Sequence, residues 1–230
     1  MSYQFIYDTR MSKVIQHFKT SAFSRLWSNI GTAVSRQSSQ SLDSKKAQFG
    51  CAPGVIRTRV GYTGGTTKFP TYRNLGDHTE TVDIDFDPDV TSYEKLLEKF
   101  WKSHNPTQSH SRQYMSAIFF HGNEQRVQAE TSMKEQQSNL AQPIATKILP
   151  AHQFYVAEDY HQKYMLRNSR DLFDSLGLDG EDLVKSHAAA RANGYVAGFG
   201  KLQDFNNEFE KVGYSKRQID LICKAIQRRS

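Results

Sequence analysis

The chain has only two cysteines in 230 residues, Cys51 and Cys223, and they lie far apart. That excludes a disulfide framework and a cysteine-based metal site, and it makes a reducing compartment the default. No stretch approaches the roughly 18–20 consecutive apolar residues of a membrane-spanning helix. With a mean hydropathy of -0.67, the chain reads as soluble, with no membrane insertion. Acidic residues are missing between Thr9 and Leu42, although Lys13, Lys19, Arg25 and Arg36 are spaced along that segment among frequent serines. Residues 1–46 hold seven Lys or Arg against two Asp, so five of the six net positive charges lie there and the remainder is close to neutral. A nucleic-acid-binding domain keeps its positive charge on the folded part, so no nucleic acid is expected as a partner.

Within the acid-free segment Val14, Phe18, Ala22, Leu26 and Ile30 recur every four residues, one stripe of a helix. A basic, Ser-rich amphipathic N-terminus has the composition of a mitochondrial transit peptide. A disordered tail or an altered first exon is the competing reading, and residues 1–43 stand apart from the folded domain on either one. The expected localisation is cytoplasmic or mitochondrial.

The densest patterning runs from Pro53 to Phe86. Ile56, Thr58, Val60 and Tyr62 alternate with Arg57 and Arg59, the period of a half-buried strand. Gly61, Gly64 and Gly65 around Tyr62 let the backbone turn and come close to a ligand. A second strand begins at Glu80, where Val82, Ile84 and Phe86 alternate with Thr81, Asp83 and Asp85. Glu80 shares the parity of the apolar side chains, so its carboxyl is partly withdrawn from water and suited to giving a proton.

Residues 43–52 predict a short helix ended by Pro53-Gly54. Asp87-Pro88 predicts a turn, with a capping box from Thr91 to Glu94. Tyr93, Leu96, Leu97, Phe100 and Trp101 then carry the stripe of a helix packed on a sheet. Strands are expected at SAIFF and IATKILP, with a surface helix between them from about 123 to 140. A helix from Ala157 is expected to carry Tyr160, His161 and Tyr164. Further helices are expected at about 179–192, 203–211 and 215–227, with NGYVAGFG irregular. These elements make an α+β chain, a two-layer sandwich.

The runs GYTGGTTKFPTY, GDHTE, RQYMSAIFF, KILPAHQFYVAEDYHQKY and NGYVAGFG, in that order, resemble the peptide methionine sulfoxide reductase A family. The resemblance implies a ferredoxin-like variant of the α+β sandwich over residues 44–200, with residues 201–230 a helical C-terminal extension. It also implies reduction of methionine (S)-sulfoxide, in oxidised proteins or free, as repair of oxidative damage. No cofactor or metal is bound in this chemistry; the electrons come from thioredoxin or another dithiol reductant, and thioredoxin is the implied partner.

By the same resemblance Glu80 protonates the sulfoxide oxygen, while Tyr72 and Tyr114 donate hydrogen bonds to it. Gly61, Tyr62, Gly64, Gly65 and His78 border the substrate. The family's attacking cysteine, in a Gly-Cys-Phe-Trp motif, falls at Ser41, with Gln40, Leu42 and Asp43 around it. A serine hydroxyl cannot replace a thiolate in this step. Cys51 follows Gly50 and superficially imitates the motif, but it lies ten residues further on, about 15 Å of helix. Cys223 lies where the family keeps resolving cysteines, within an apolar helical stripe. An aspartate of the family is Ser109 here, and a further cysteine position is Val196. The alternative to a reductase is therefore an inactive member that binds oxidised methionine or a partner protein. His161 lacks companions as a metal ligand and is read as structural.

Overall fold

The computed structural model describes residues 2–4, 47–109 and 115–229. Ser41 and Tyr114 lie outside the described residues, as do residues 5–43 of the segment expected to stand apart from the domain; its described part, Ser2–Gln4, instead lies within the sheet. One mixed sheet organises the rest: β1 (Ser2–Gln4), β2 (Val55–Thr63), β3 (Thr79–Phe86), β4 (Ala117–Phe120), β5 (Lys147–Pro150) and β6 (Tyr155–Val156) stand in the order β5-β4-β1-β3-β2-β6. β2 runs antiparallel to β3 and to β6; β1 is parallel to both β3 and β4, and β4 to β5.

The β2–β3 register sets the centre of the molecule. Val60 faces Val82 and Tyr62 faces Glu80 across the ladder, so each pair lies on one side of the sheet. Arg57 and Arg59 face Asp85 and Asp83, and both arginines are ion-paired to those carboxylates, Arg59 to Asp83 at 2.5 Å. The alternation predicts one core-facing row in β3, Glu80 with Val82, Ile84 and Phe86, but all eight of its residues are buried. The sheet is therefore covered on both sides along β3. Burial raises the Asp83 carboxyl well above its usual range, against the pull of Arg59.

Helix α1 (Tyr93–Lys102) buries the expected five residues, Tyr93, Leu96, Leu97, Phe100 and Trp101, against β2 and β3. Its cap is Ser92, whose hydroxyl accepts from the Lys95 amide at 3.4 Å, and not the expected Thr91. Thr91 instead closes the Asp87 turn and packs its side chain over Gly54. Helix α2 (Gly122–Ser138) follows, with little buried beyond Gln125 and Ala129.

The expected helix from Ala157 does not form. A single 3-10 turn, Asp159–His161, ends at Gln162, and α3 (Tyr164–Arg167) starts anew after Lys163, whose φ is +51°. Long-range bonds outweigh helix propensity here. The Gln162 side chain accepts from the Val60 amide at 3.0 Å and donates to the Val60 carbonyl at 2.8 Å, while Lys163 Nζ donates to the Thr58 and Val184 carbonyls.

The remaining helices are α4 (Arg170–Leu176), α5 (Gly180–Lys185), α6 (His187–Val196), α7 (Leu202–Asn206), α8 (Phe209–Val212) and α9 (Lys216–Gln227). Ser186 breaks the predicted 179–192 helix in two by capping α6, accepting from the Ala189 amide at 3.0 Å. NGYV, expected to be irregular, is helical because Gly194 lets α6 lie directly on Cys51: a Cβ there would meet the sulfur at 2.7 Å. These helices share a second core with Ala47 and Cys51. Arg191 ties the two together, donating to the carbonyls of Gly50 and Ala52 and to the Glu208 carboxylate.

Candidate functional site

At the start of β3 the Glu80 side chain is 5% exposed, beside the buried Tyr62 ring. The Tyr62 hydroxyl donates to Glu158 Oε2 at 2.6 Å, and the other Glu158 oxygen accepts from the Tyr72 backbone amide at 2.9 Å. Glu158 therefore fastens the FPTY loop to the strand opposite Glu80. Tyr72, 39% exposed, lies against His161 with ring centroids 4.7 Å apart, and His161 lies against Tyr160 at 4.2 Å.

The electrostatics bind these groups into one cluster. Burial, then the bond to Glu158, then the charge of Glu80, push the Tyr62 hydroxyl far above its ordinary value. Tyr160 is raised by burial and by the charges of Glu158 and Glu80, against Arg73. Both phenols thus stay protonated hydrogen-bond donors at neutral pH. The Glu158 carboxyl is raised by partial burial, but the bonds from Tyr62 and the Tyr72 amide outweigh this and hold it below its usual range. It remains an acceptor.

The residues expected to border a substrate are used largely by the chain itself. Gly61 admits Phe154 and the Tyr155 carbonyl, where a Cβ would meet ring atoms at 2.2 Å. Gly64, at φ +82°, admits Phe119. Gly65 admits Asp77 and the His78 amide, and donates its own N–H to His78 Nδ1 at 3.3 Å. His78 is 1% exposed, and its Nε2 lies 2.7 Å from the Thr67 carbonyl. Asp77 accepts from the amides and hydroxyls of both Thr66 and Thr67. The close approach that the glycines permit thus locks GGTT onto GDHT, and this lock positions Glu80, the next residue.

Cys51 is not brought to this cluster. It is buried in the second core, and burial pushes its thiol up to about 11 in spite of Arg191 and Lys99. An attacking thiol needs the opposite, exposure and a lowered pKa. Cys223 on α9 is half-buried, packs against the same core, and is raised by burial and then by Asp220. Ser109 is exposed on the loop before the undescribed residues 110–114, and Val196 is buried in α6. Among the described residues no group of three or more His, Cys, Asp or Glu could hold a metal ion. No helix among them is long and apolar enough to cross a membrane.

Glu158, Tyr160 and His161 complete the cluster and are the members that reading the residues alone misses as site residues. Their only sequence signal is the AEDYHQ run, because the bonds that recruit Glu158 span 86 and 96 positions.

A buried carboxyl within electrostatic reach of the Tyr62 and Tyr160 hydroxyls, on an α+β scaffold, is suited to a class of site that binds a polar oxygen and exchanges a proton with it. The comparisons make this specific: the chain belongs to the peptide methionine sulfoxide reductase family, whose model matches residues 44–187. A second model, described as the helical domain of selenoprotein methionine sulfoxide reductase A, matches residues 177–227. A peptide methionine sulfoxide reductase of Drosophila melanogaster is 43% identical over 173 residues, 74% of this chain and 70% of that protein. Peptide methionine sulfoxide reductase A5 of Oryza sativa is 44% identical over 66% of this chain and 63% of its own length. Among solved structures, methionine sulfoxide reductase A of Corynebacterium diphtheriae aligns with a TM-score of 0.51 and 34% identity, covering 55% of this chain and 70% of that one.

Proposed function

We propose that this chain reduces methionine (S)-sulfoxide to methionine with a dithiol as electron source, thioredoxin in the cell, as a repair of oxidative damage. One observation carries the reading: Glu80 is buried beside Tyr62 and within electrostatic reach of Tyr160, where Glu158 anchors the loop that bears Tyr72. In this reading Glu80 gives the proton to the departing oxygen and Tyr72, with Tyr114, hydrogen-bonds it. Members of the family named for the reaction support the substrate class. The strand order β4-β1-β3-β2 supports a variant of the ferredoxin-like sandwich, differing in that β4 runs parallel to β1. The localisation we propose is cytoplasmic or mitochondrial; a fluorescent fusion of residues 1–46 that stayed in the cytosol would exclude mitochondrial targeting.

Ser41 and the burial of Cys51 favour a second reading, an inactive member that binds the sulfoxide without reducing it. Incubating the chain with methionine sulfoxide and dithiothreitol, beside Cys51→Ser and Cys223→Ser, separates the two. Consumption of the S epimer alone supports the reductase, and its loss in one variant identifies the thiol that attacks. Binding of the S epimer with no consumption by any form supports the second reading.

A further inference from the structure

The β2–β3 ladder has two ends. Tyr62 faces Glu80 near one of them, and Val55 faces Phe86 at the other, roughly 20 Å away along the strand. At that far end residues 48–53, the turn at 90–91 and α1 enclose a cavity of about 380 Å³, the size of a small-molecule site. None of the groups placed at the Glu80 cluster lines it.

Its charge is one-sided. Lys95, Lys99 and Lys102 follow one another at i, i+4 and i+7 on α1 and all line the cavity, although like charges at this spacing repel. Lys102 has Glu98 beside it at 3.7 Å, whereas Lys95 and Lys99 have no carboxylate partner among the described residues. With Glu98 the only carboxylate in the lining, the cavity carries two net positive charges. Burial lowers the ammonium of half-buried Lys99; Cys51 opposes this and Lys102 adds to it. The Cys51 thiol, pushed up to about 11, is uncharged at neutral pH, so Lys99 is withdrawn from water without a counter-charge.

Gln48 gives a second, independent sign. It lines the same cavity and is 6% exposed, and its Nε2 is shut off from water with no hydrogen-bond acceptor among the described residues. A buried amide donor left unpaired is costly and calls for an acceptor from outside the chain. Ala52, Pro53, Val90 and Leu96 make the rest of the wall apolar. We propose that this cavity binds a phosphate monoester with a small apolar body: the phosphate accepts from Gln48 Nε2 and pairs with Lys95 and Lys99, and the body rests on Val90 and Leu96. Charge selects the head group. A phosphate monoester carries about −1.5 to −2 at neutral pH on several acceptor oxygens, which matches two unpaired ammonium groups and one unpaired amide; a carboxylate brings a single charge. A cavity this large, with an apolar wall, selects an ester over the free ion. The site is separate from sulfoxide reduction and does not rest on it.

The test titrates the full chain with phenyl phosphate, inorganic phosphate and benzoate at one fixed salt concentration, and follows the Gln48 side-chain amide by NMR. Phenyl phosphate is expected to bind about tenfold more tightly than either of the others and to shift the Gln48 amide resonances. Lys99→Gln should weaken phenyl phosphate about tenfold, the loss of one charge-assisted hydrogen bond. Lys95→Gln, at an exposed position, should weaken it as well with an unchanged melting temperature. Gln48→Glu turns the donor into a repelling carboxylate and should abolish binding; if that variant does not fold, the two lysine variants and the amide shift still decide. Equal affinity for benzoate or for inorganic phosphate, an unmoved Gln48 amide, or wild-type affinity in both lysine variants overturns the proposal.

Discussion

The hydroxyl of Tyr62 and the carboxylate of Glu158 are 2.6 Å apart, and the same carboxylate holds the Tyr72 amide. One anion therefore sets how far Tyr72 stands from the strand pair that carries Glu80. Glu158→Gln keeps the size but weakens both bonds, since hydrogen bonds to a charged acceptor are roughly twice as strong as neutral ones. It is expected to lower kcat/KM for the S epimer about tenfold, or to weaken its binding similarly where turnover is absent. The melting temperature should fall by no more than a few degrees. A Glu158→Gln chain that matches wild type in both respects would remove Glu158 from the site.

Lys163 makes a prediction in pH. Burial, with Arg59 and Arg57 nearby, lowers its ammonium to about 7 against the pull of Asp83. A lysine whose folded pKa lies below its unfolded value binds fewer protons folded than unfolded, so stability rises as pH climbs from 7 toward 10.5. Above pH 9 the raised folded values of Cys51 and several tyrosines act in the opposite direction. The clean window is pH 7 to about 9. Denaturant midpoints of the wild type should rise across it, and those of Lys163→Met should stay flat.

Asp77 acts on the acid side. Hydrogen bonds from Thr67 and Thr66 hold its carboxyl well below its usual range. Such a group contributes stability that is present above the unfolded carboxylate pKa of about 4 and is lost as pH falls through the lower folded value. Asp77→Ala should lower the melting temperature at neutral pH and make the midpoint less sensitive to acid below that range. It should also loosen residues 65–67, read as faster amide exchange there.

The Arg191–Glu208 pair predicts a larger effect. Arg191 is buried and serves two carbonyls of the 50–52 segment as well as Glu208. Glu208→Ala leaves that guanidinium without its counter-charge and should cost roughly 3 kcal/mol in chemical denaturation. A cost near that of an exposed pair, below about 1 kcal/mol, would show that the carbonyls alone satisfy Arg191.

What could be read from the sequence was what depends on local period. The α1 stripe translates directly into burial, because it is fixed within one element, and Glu80 is buried as its parity predicts, although the opposite face of β3 is covered too. The break at Lys163 was not legible: Gln162 and Lys163 are ordinary helix residues whose side chains bond more than a hundred positions away. The glycines of GYTGG were legible as places of close approach, yet only the fold shows that Phe154, Phe119 and Asp77 make that approach. The recruitment of Glu158 to Tyr62 and Tyr72 was hidden for the same reason, since a hydrogen bond across 96 positions leaves no periodic trace.

The most direct measurement is reduction of separated methionine sulfoxide epimers by dithiothreitol, with Gly, Cys, Phe and Trp placed at positions 40 to 43 and with Glu80 either kept or changed to Gln. If Glu80 and the tyrosines form a working proton-donating site, the substituted chain consumes the S epimer alone and Glu80→Gln slows it at least a hundredfold, the usual loss of a general acid. Equal reduction of both epimers, no reduction, or indifference to Glu80→Gln would contradict the account.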